Sequence, residues 1–367
     1  MCTQKQVALF QNTYRSMIDR TKESGYAQTS ITGTYPGMFG RDSSIQIMAH
    51  VLAGDYDHAA KIMNFMFDYH KKKGYGYVLH VMNCVEPLIS DKLQLDSTFF
   101  FLHAWYLYAT KAIETEAKAA FLAASEPAIK DFADYFLNDK YLTDMDMVWN
   151  PSLEHSREVR YFQSYDLLTN TYASQAWHEM SLYFADKDPE KAKAWGEAAD
   201  RVVKGVHEHL TVEIDGKRMY AELIDTEFGN KLVEGFSWVN LAPMGCDWYG
   251  ADPEILENTY QLYMKYGSCK YYNKHQMLEV VSVFTGTPIE TGDHVIGKGL
   301  AWEMMYCKKM GYTDRLTELA GFVEAYSDQL YRETWGYNGG GSDTANQEHA
   351  SWMLVAHKTC FPELSAR

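Results

Sequence analysis

No stretch of this 367-residue chain approaches the roughly 20 consecutive apolar residues that a membrane-spanning helix requires. The sequence therefore predicts no membrane partner. Its first twenty residues, MCTQKQVALFQNTYRSMIDR, place polar side chains at every third or fourth position. They contain neither an apolar signal core nor a small-residue cleavage site, which predicts a cytoplasmic location. Cysteine is sparse and scattered: Cys2, Cys84, Cys246, Cys269, Cys307 and Cys360 never approach CxxC spacing, so reduced thiols are expected in place of a disulfide framework. Basic residues fall short of acidic ones, 34 against 49, and nowhere form a stripe interleaved with aromatics. Nucleic acid is excluded as a partner on that ground.

Cofactor motifs are missing too. HEM (178–180) and HEH (207–209) lack a second histidine at zinc-binding spacing. Gly-x-Ser-x-Gly, the Walker loop and the dinucleotide fingerprint do not occur, and NGGGSD (338–343) has no following Lys-Ser or Lys-Thr. Metalloprotease-type and finger-type sites are thereby excluded, and carboxylates remain as the candidate catalytic groups. Prolines number only nine, and no Ser/Gly-rich or single-sign charged linker separates two compositions, so residues 1–367 are expected to form one domain.

What the chain does have is helical periodicity. Apolar residues recur at helical spacing near 4–23, 43–54, 56–72, 97–113, 115–138, 165–185, 188–210, 252–266, 276–284, 295–310, 313–331 and 346–358. Short β-prone pieces such as KRMYAELI (217–224) suggest hairpins within connections. Tight joins at 53–57, 185–190 and 308–314 contrast with long connections at 24–42, 73–96, 139–164, 211–251, 267–294 and 332–345. Six helical hairpins with six long loops describe an all-α (α/α)6 toroid of about twelve helices, every long loop emerging on one rim. Connections longer than about 12–15 residues are usually functional or disordered, and these are rich in Trp, Tyr and Gly.

Aromatic faces beside amide and carboxylate edges suit sugar rings, which offer C–H faces and a hydroxyl perimeter. Phe99, Phe100, Phe101 and Trp105 belong to a helix and are expected in the core. Trp149, Trp238, Trp335 and Trp352 are expected at the rim.

Glycosidic cleavage needs one protonated carboxyl for the leaving oxygen and a second carboxylate on the opposite face. Two long loops supply acids. In MVWNPSLEHSREVRYFQSYDLLTN (147–170), Glu154 and Glu158 stand among aromatic and cationic neighbours; each is either a general acid or a surface partner of Arg157 or Arg160. In WGYNGGGSDTANQEHASW (335–352), Asp343 follows three glycines and Glu348 opens the last helix. Asp343 is either a catalytic base or a helix N-cap with Gln347 near capping-box position, and Glu348 is either a reserve base or a first-turn acid. Asp42 and Asp96, in RDSS and LDST, show the same duality of helix cap and hydroxyl clamp.

At these residues the chain resembles a known group. YPGMFGRDSS (35–44) resembles the aromatic-x-Arg-Asp-Ser stretch of toroidal exo-glycosidases, including metal-independent α-mannosidases and relatives of glucoamylase. SLEHSREVRYF (152–162) is similar to the trehalase stretch Gly-Trp-Asp-Phe-Ser-Ser-Arg-Trp-Phe, whose general acid falls on Glu154. GGGSDTANQEHASW (339–352) resembles the trehalase run of four glycines and an acid, followed by Gln and Trp, which puts the base on Asp343. Ser342 replaces the fourth glycine, and the two acids exchange Asp for Glu in opposite directions. The signature Gln-Trp-Asp-x-Pro-x-Gly-Trp has a loose echo in GFSWVNLAP (235–243).

The resemblance implies an exo-acting glycoside hydrolase for a small α-linked oligosaccharide or glycoside, working by single displacement with inversion and without metal or organic cofactor. Glu154 would be the acid and Asp343 the base, with Glu158 and Glu348 in reserve. Arg41, Asp42, Asp96, Trp149, Asn150, Arg157, Trp238 and Trp352 would line the sugar subsite. Two alternatives come from other classes. A sugar 2-epimerase on the same toroid would move protons with His103, His155, His294 or His349, and a non-catalytic carbohydrate-binding protein would hold sugar without turnover.

Overall fold

The computed structural model describes residues 2–30, 37–82, 94–153, 162–227, 229–266, 294–336 and 347–365. Helices dominate it: α1 (Gln4–Asp19), α2 (Gly40–Ala53), α3 (Tyr56–Lys73), α4 (Leu95–Lys111), α5 (Glu116–Asp134), α6 (Leu167–Phe184), α7 (Pro189–His209), α8 (Ala242–Gly245), α9 (Pro253–Tyr266), α10 (Gly297–Met310), α11 (Thr313–Tyr326) and α12 (Gln347–Cys360). Eleven of these meet the helices expected from periodicity within a few residues at each end. The twelfth expectation, 276–284, lies outside the described residues. Among the described residues the remaining helix is α8, preceded by a 3-10 turn at Trp238–Leu241, which is too short to register as a periodic pattern.

Even-numbered helices form an inner ring. α2 packs on α4, α4 on α6, α6 on α8, α8 on α10, α10 on α12 and α12 back on α2. Each odd-numbered helix lies outside, against its inner neighbours. Sequence dictates the division: α4 (LDSTFFFLHAWYLYATK) is buried along almost its whole length, whereas α7 (PEKAKAWGEAADRVVKGVHEH) buries one stripe of Ala, Trp and Val and turns its charges to solvent. A helix apolar all round belongs inside; an amphipathic one belongs at the surface. Phe99, Phe100, Phe101 and Trp105 are buried in the core as expected.

Short ladders fix the rim where inner helices begin. β1 (Met38–Phe39) pairs with β2 (Val81–Met82), joining the connections ahead of α2 and α4. β3 (Asn150–Leu153), β4 (Phe162–Asp166), β7 (Leu223–Asp225) and β8 (Lys231–Val233) make a four-stranded antiparallel sheet whose β4 runs directly into α6. β5 (Thr211–Ile214) and β6 (Lys217–Tyr220) form the expected hairpin. β9 (His294–Ile296) pairs with β10 (Thr334–Gly336) ahead of α10 and α12. First-turn N–H groups have no partner within their own helix, and the rim supplies one: Gly40 N donates to His80 O, Gly297 N to Glu333 O and Gln347 N to Thr29 O, each at 2.9 Å.

Both α2 and α4 start earlier than RDSS and LDST suggest, α2 at Gly40 against the His80 carbonyl. The N-caps are Phe39 and Gln94, neither with a side-chain cap, and Asp42 and Asp96 fall inside the first turn. The helix-cap alternative for both aspartates is thereby corrected.

Gly40 is a close-approach position, since a Cβ there would meet Leu79 O at 2.3 Å and Val78 Cγ1 at 2.8 Å. A backbone oxygen cannot move aside as a flexible side chain can. Gly40→Ala should lose about 1–3 kcal/mol of stability, read in urea as a lower midpoint at unchanged m-value; an unmoved midpoint would show that α2 does not begin against this strand.

Candidate functional site

Four consecutive inner helices carry a charged residue at their second position: Lys298 on α10, Glu348 on α12, Arg41 on α2 and Asp96 on α4. Ring closure brings the four together. Arg41 Nη1 donates to Asp96 Oδ2 at 2.8 Å, and Arg41 Nη2 donates to Glu348 Oε2 at 3.2 Å. Lys298 Nζ donates to Glu348 Oε1 at 2.9 Å and sits 4.1 Å from the centre of the Trp238 ring. All of these side chains are nearly shielded from water, Arg41 being the most open at 11%.

Burial makes the charge balance decisive. Burial pushes the Glu348 carboxyl up, yet Arg41 and then Lys298 and His349 hold it well below the usual carboxylate range. Asp42, equally buried, goes the other way: desolvation and then the Glu348 charge raise its carboxyl well above that range, against the pull of Arg41 and Lys298. Burial pushes His349 down to about 3, despite Glu348 beside it. Its ring is therefore neutral near neutral pH. Lys298 N donates to His349 Nδ1 at 3.2 Å, which leaves the proton on Nε2, 3.7 Å from Glu348 Oε2. The cluster thus offers ionised acceptors, fixed cations and one protonated carboxyl, a set suited to several neutral hydroxyls.

Of the residues expected at a sugar subsite, Arg41, Asp42, Asp96, Glu348 and Trp238 assemble here. Trp238 opens a 3-10 turn and lies under Lys298. Trp352 is no rim-loop residue: it occupies the second turn of α12, fully buried, with its ring edge-on to Trp302 at 5.4 Å. Asn150 is enclosed in the sheet ahead of α6, where its Nδ2 donates to Asp166 Oδ2 at 3.1 Å and Thr169 Oγ1 at 3.0 Å. Asp166 in turn caps α6 by accepting from Thr169 N at 2.7 Å; Asn150 acts on that cap. Trp149 is half-buried and donates to Thr226 Oγ1 at 3.2 Å. Glu154, Glu158, Arg157 and Asp343, with His155, lie outside the described residues, as do the side chains of His294 and Trp335.

Sequence reasoning missed Lys298 and Gln347. Lys298 stands in VIGKGLAW, where flanking glycines disguise a helix start. The available signal was positional: each of these four inner helices pairs a charge at its second residue with a long apolar run. Gln347, one residue before Glu348, is fully buried, and neither amide atom has a hydrogen-bond partner among the described residues.

No family model matches the chain, and no curated protein matches it in sequence. Its fold is nonetheless that of solved glycosidases. A Streptococcus pneumoniae protein of a family of metal-independent alpha mannosidases, in a non-productive complex with alpha-1,6-mannobiose, superposes over 99% of this chain and 95% of its own, at TM-score 0.68 and 15% identity. The GH63 mannosylglycerate hydrolase from Thermus thermophilus, in complex with glucose, does so over 96% and 100%, at TM-score 0.70 and 14% identity. A GH78 family rhamnosidase of Bacillus sp. GL1 matches 97% of this chain with 34% of its own, at TM-score 0.63 and 14% identity. The (α/α)6 architecture expected from loop lengths is the shared feature.

Two outcomes follow from the charge cluster. Glu348→Gln leaves Arg41 and Lys298 facing each other in a buried setting and should remove about 3–5 kcal/mol of stability in denaturant unfolding; a loss below about 1 kcal/mol would mean that the pair is hydrated. For Asp42, the folded carboxyl lies above its unfolded value, so its contribution is full below the ordinary carboxylate range and is lost as pH rises through the raised value. Asp42→Asn abolishes that titration. Its stability relative to the parent should increase between pH 5 and pH 9, and a constant offset across that window would refute the protonated Asp42.

Proposed function

We propose that the protein is a glycoside hydrolase that releases a terminal sugar from a small α-linked oligosaccharide or glycoside with inversion, using Glu154 as general acid and Asp343 as general base, without metal or organic cofactor. One observation carries this reading. In the ring order α2, α4, α6, α8, α10, α12, helices α6 and α12 are three places apart and so face each other across the axis. The connection bearing Glu154 leads through β4 into the first of them, and that bearing Asp343 leads from β10 into the second. Both begin at the rim that holds the charge cluster.

Inverting hydrolysis needs two carboxyls on opposite faces of the sugar, roughly 6.5–9.5 Å apart, with room for water between them. Delivery from facing helices suits that requirement. Arg41, Asp42 and Asp96 would grip hydroxyls of the terminal sugar while Trp238 backs the subsite, and Arg157 would approach from the Glu154 connection. Held ionised by two cations, Glu348 is a weak base, which favours Asp343 for activating water. Glu158 remains the reserve acid.

The epimerase reading is less well supported. His349 is neutral with Nδ1 already accepting a backbone N–H, and His103 pairs with Glu179 about two helical turns away from the cluster. No facing pair of titrating imidazoles flanks the cluster among the described residues.

Aryl glycosides of different sugars, with NMR of the first-formed anomer, test the proposal directly. Inverted free sugar is expected, and Glu154→Gln and Asp343→Asn should each lower kcat by about 10²–10⁴-fold with folding intact. Retained stereochemistry would defeat single displacement. Isomerised free sugar would move the assignment to an epimerase, and binding without turnover to a carbohydrate-binding protein.

A further inference from the structure

Arg41, Asp96, Lys298 and Glu348 are each followed seven residues later on the same helix by Met48, His103, Met305 and Val355. Seven residues make about two turns, a descent of roughly 10 Å along the axis on the same helix face. All four of these lower residues line one cavity of about 330 Å³, closed on a further side by Met244 and Cys246 at the end of α8. The toroid therefore holds a second space on its axis, beneath the charge cluster and at the opposite end from the rim. Its size lies within the range of small-molecule sites.

The exposed lining residues, Asp247, Lys308, Lys309 and Thr359, mark the mouth of this space. Deeper in, the Tyr306 hydroxyl and the Trp248 N–H are committed elsewhere, to Glu257 Oε2 at 2.7 Å and Ser174 Oγ at 2.8 Å. His103, 5% exposed, supplies the remaining ring nitrogen. Its Nδ1 lies 2.8 Å from both carboxylate oxygens of Glu179, and Gln175 Nε2 donates to Glu179 Oε1 at 2.9 Å. With Nδ1–H donated to Glu179, the neutral ring leaves Nε2 as an acceptor with no hydrogen-bond partner among the described residues. A ligand seated here needs an O–H or N–H to offer it. A carboxylate would instead meet the charge of Glu179 behind the ring. The walls select further: three methionines, Met48, Met244 and Met305, surround the space, and thioether sulfur packs favourably at aromatic ring edges.

We propose that this axial cavity is a second binding site, separate from the sugar chemistry, that takes a small uncharged phenol. The ring sits among the three methionines, and the hydroxyl donates to His103 Nε2. The site does not depend on the hydrolase reading, because no residue of the charge cluster lines it.

Phenol, toluene and benzoate titrated calorimetrically into the full chain test both the site and its chemistry. Phenol should saturate at one per chain, with toluene and benzoate each at least roughly tenfold weaker. His103→Phe should weaken phenol by a similar factor, and Asp42→Asn, at the other end of the axis, should leave it unchanged. Should His103→Phe fail to fold, crystals soaked in 4-bromophenol locate the ligand without a variant: a bromine anomalous peak between His103 and Met305 is expected. No saturation, a peak at the rim alone, toluene binding as tightly as phenol, or sensitivity to Asp42→Asn would each overturn the proposal.

Discussion

The Glu348 carboxylate, held between Arg41 and Lys298, is the interaction on which the rim depends. It ties the last inner helix to both of its neighbours and so closes the ring at the point where the two ends of the chain meet. Burying such a group is unfavourable unless its charge is matched and its lone pairs are satisfied. Here the match follows from helix electrostatics. A carboxylate near a helix N-terminus is favoured by the backbone dipole, and a cation there is opposed by it. Lys298 and Arg41 both stand at N-termini, so each requires an acid on the adjoining helix. The result is alternation of sign around four successive helices: Lys298, Glu348, Arg41, Asp96.

That alternation determines the state of Asp42. Two cations are already matched by Glu348 and Asp96, so a third carboxyl in the same dry volume has no unclaimed positive charge to stabilise its ionised form, and it keeps its proton. The protonated acid adds a neutral group that both donates and accepts to a cluster of charged donors and acceptors. Neutral polyols, whose every hydroxyl both donates and accepts, are matched by such a mixture better than ions of either sign. Because the groups are fixed by helices and by each other, little reorganisation is needed when a ligand arrives.

Much of the architecture was legible because it is written in local patterns. The contrast between α4, apolar all round, and α7, amphipathic, gives inner and outer layers, and alternating loop lengths give the rim. What was not legible depended on distant partners. RDSS and LDST have the local chemistry of caps, yet the pairing of β1 with β2 and the bond from Gly40 N to His80 O begin α2 ahead of that signal. Lys298 was hidden in a Gly-Lys-Gly stretch that resembles a turn, and its partner Glu348 lies fifty residues further along the chain. Trp352 could be placed on a helix by periodicity, but its burial against Trp302 and Phe100 comes only from ring closure.

Ring geometry also bears on which acids can cooperate. In a closed set of six inner helices, groups on adjacent helices share one wall of the axial space, as Arg41 and Asp96 do, and would meet a sugar from the same side. Groups able to reach opposite faces of one sugar must enter from helices three places apart. Three hairpins are half of such a chain. Glu154 and Asp343 are separated by about half of the 367 residues, and the connections that bear them lead into α6 and α12. Glu348, the reserve base of the proposed mechanism, is weakened in that role by its ion pairs with Arg41 and Lys298. Under the proposed mechanism the requirement for water between two carboxyls becomes a requirement on sequence separation, one that the proposed acid Glu154, or Glu158 in reserve, would meet with Asp343.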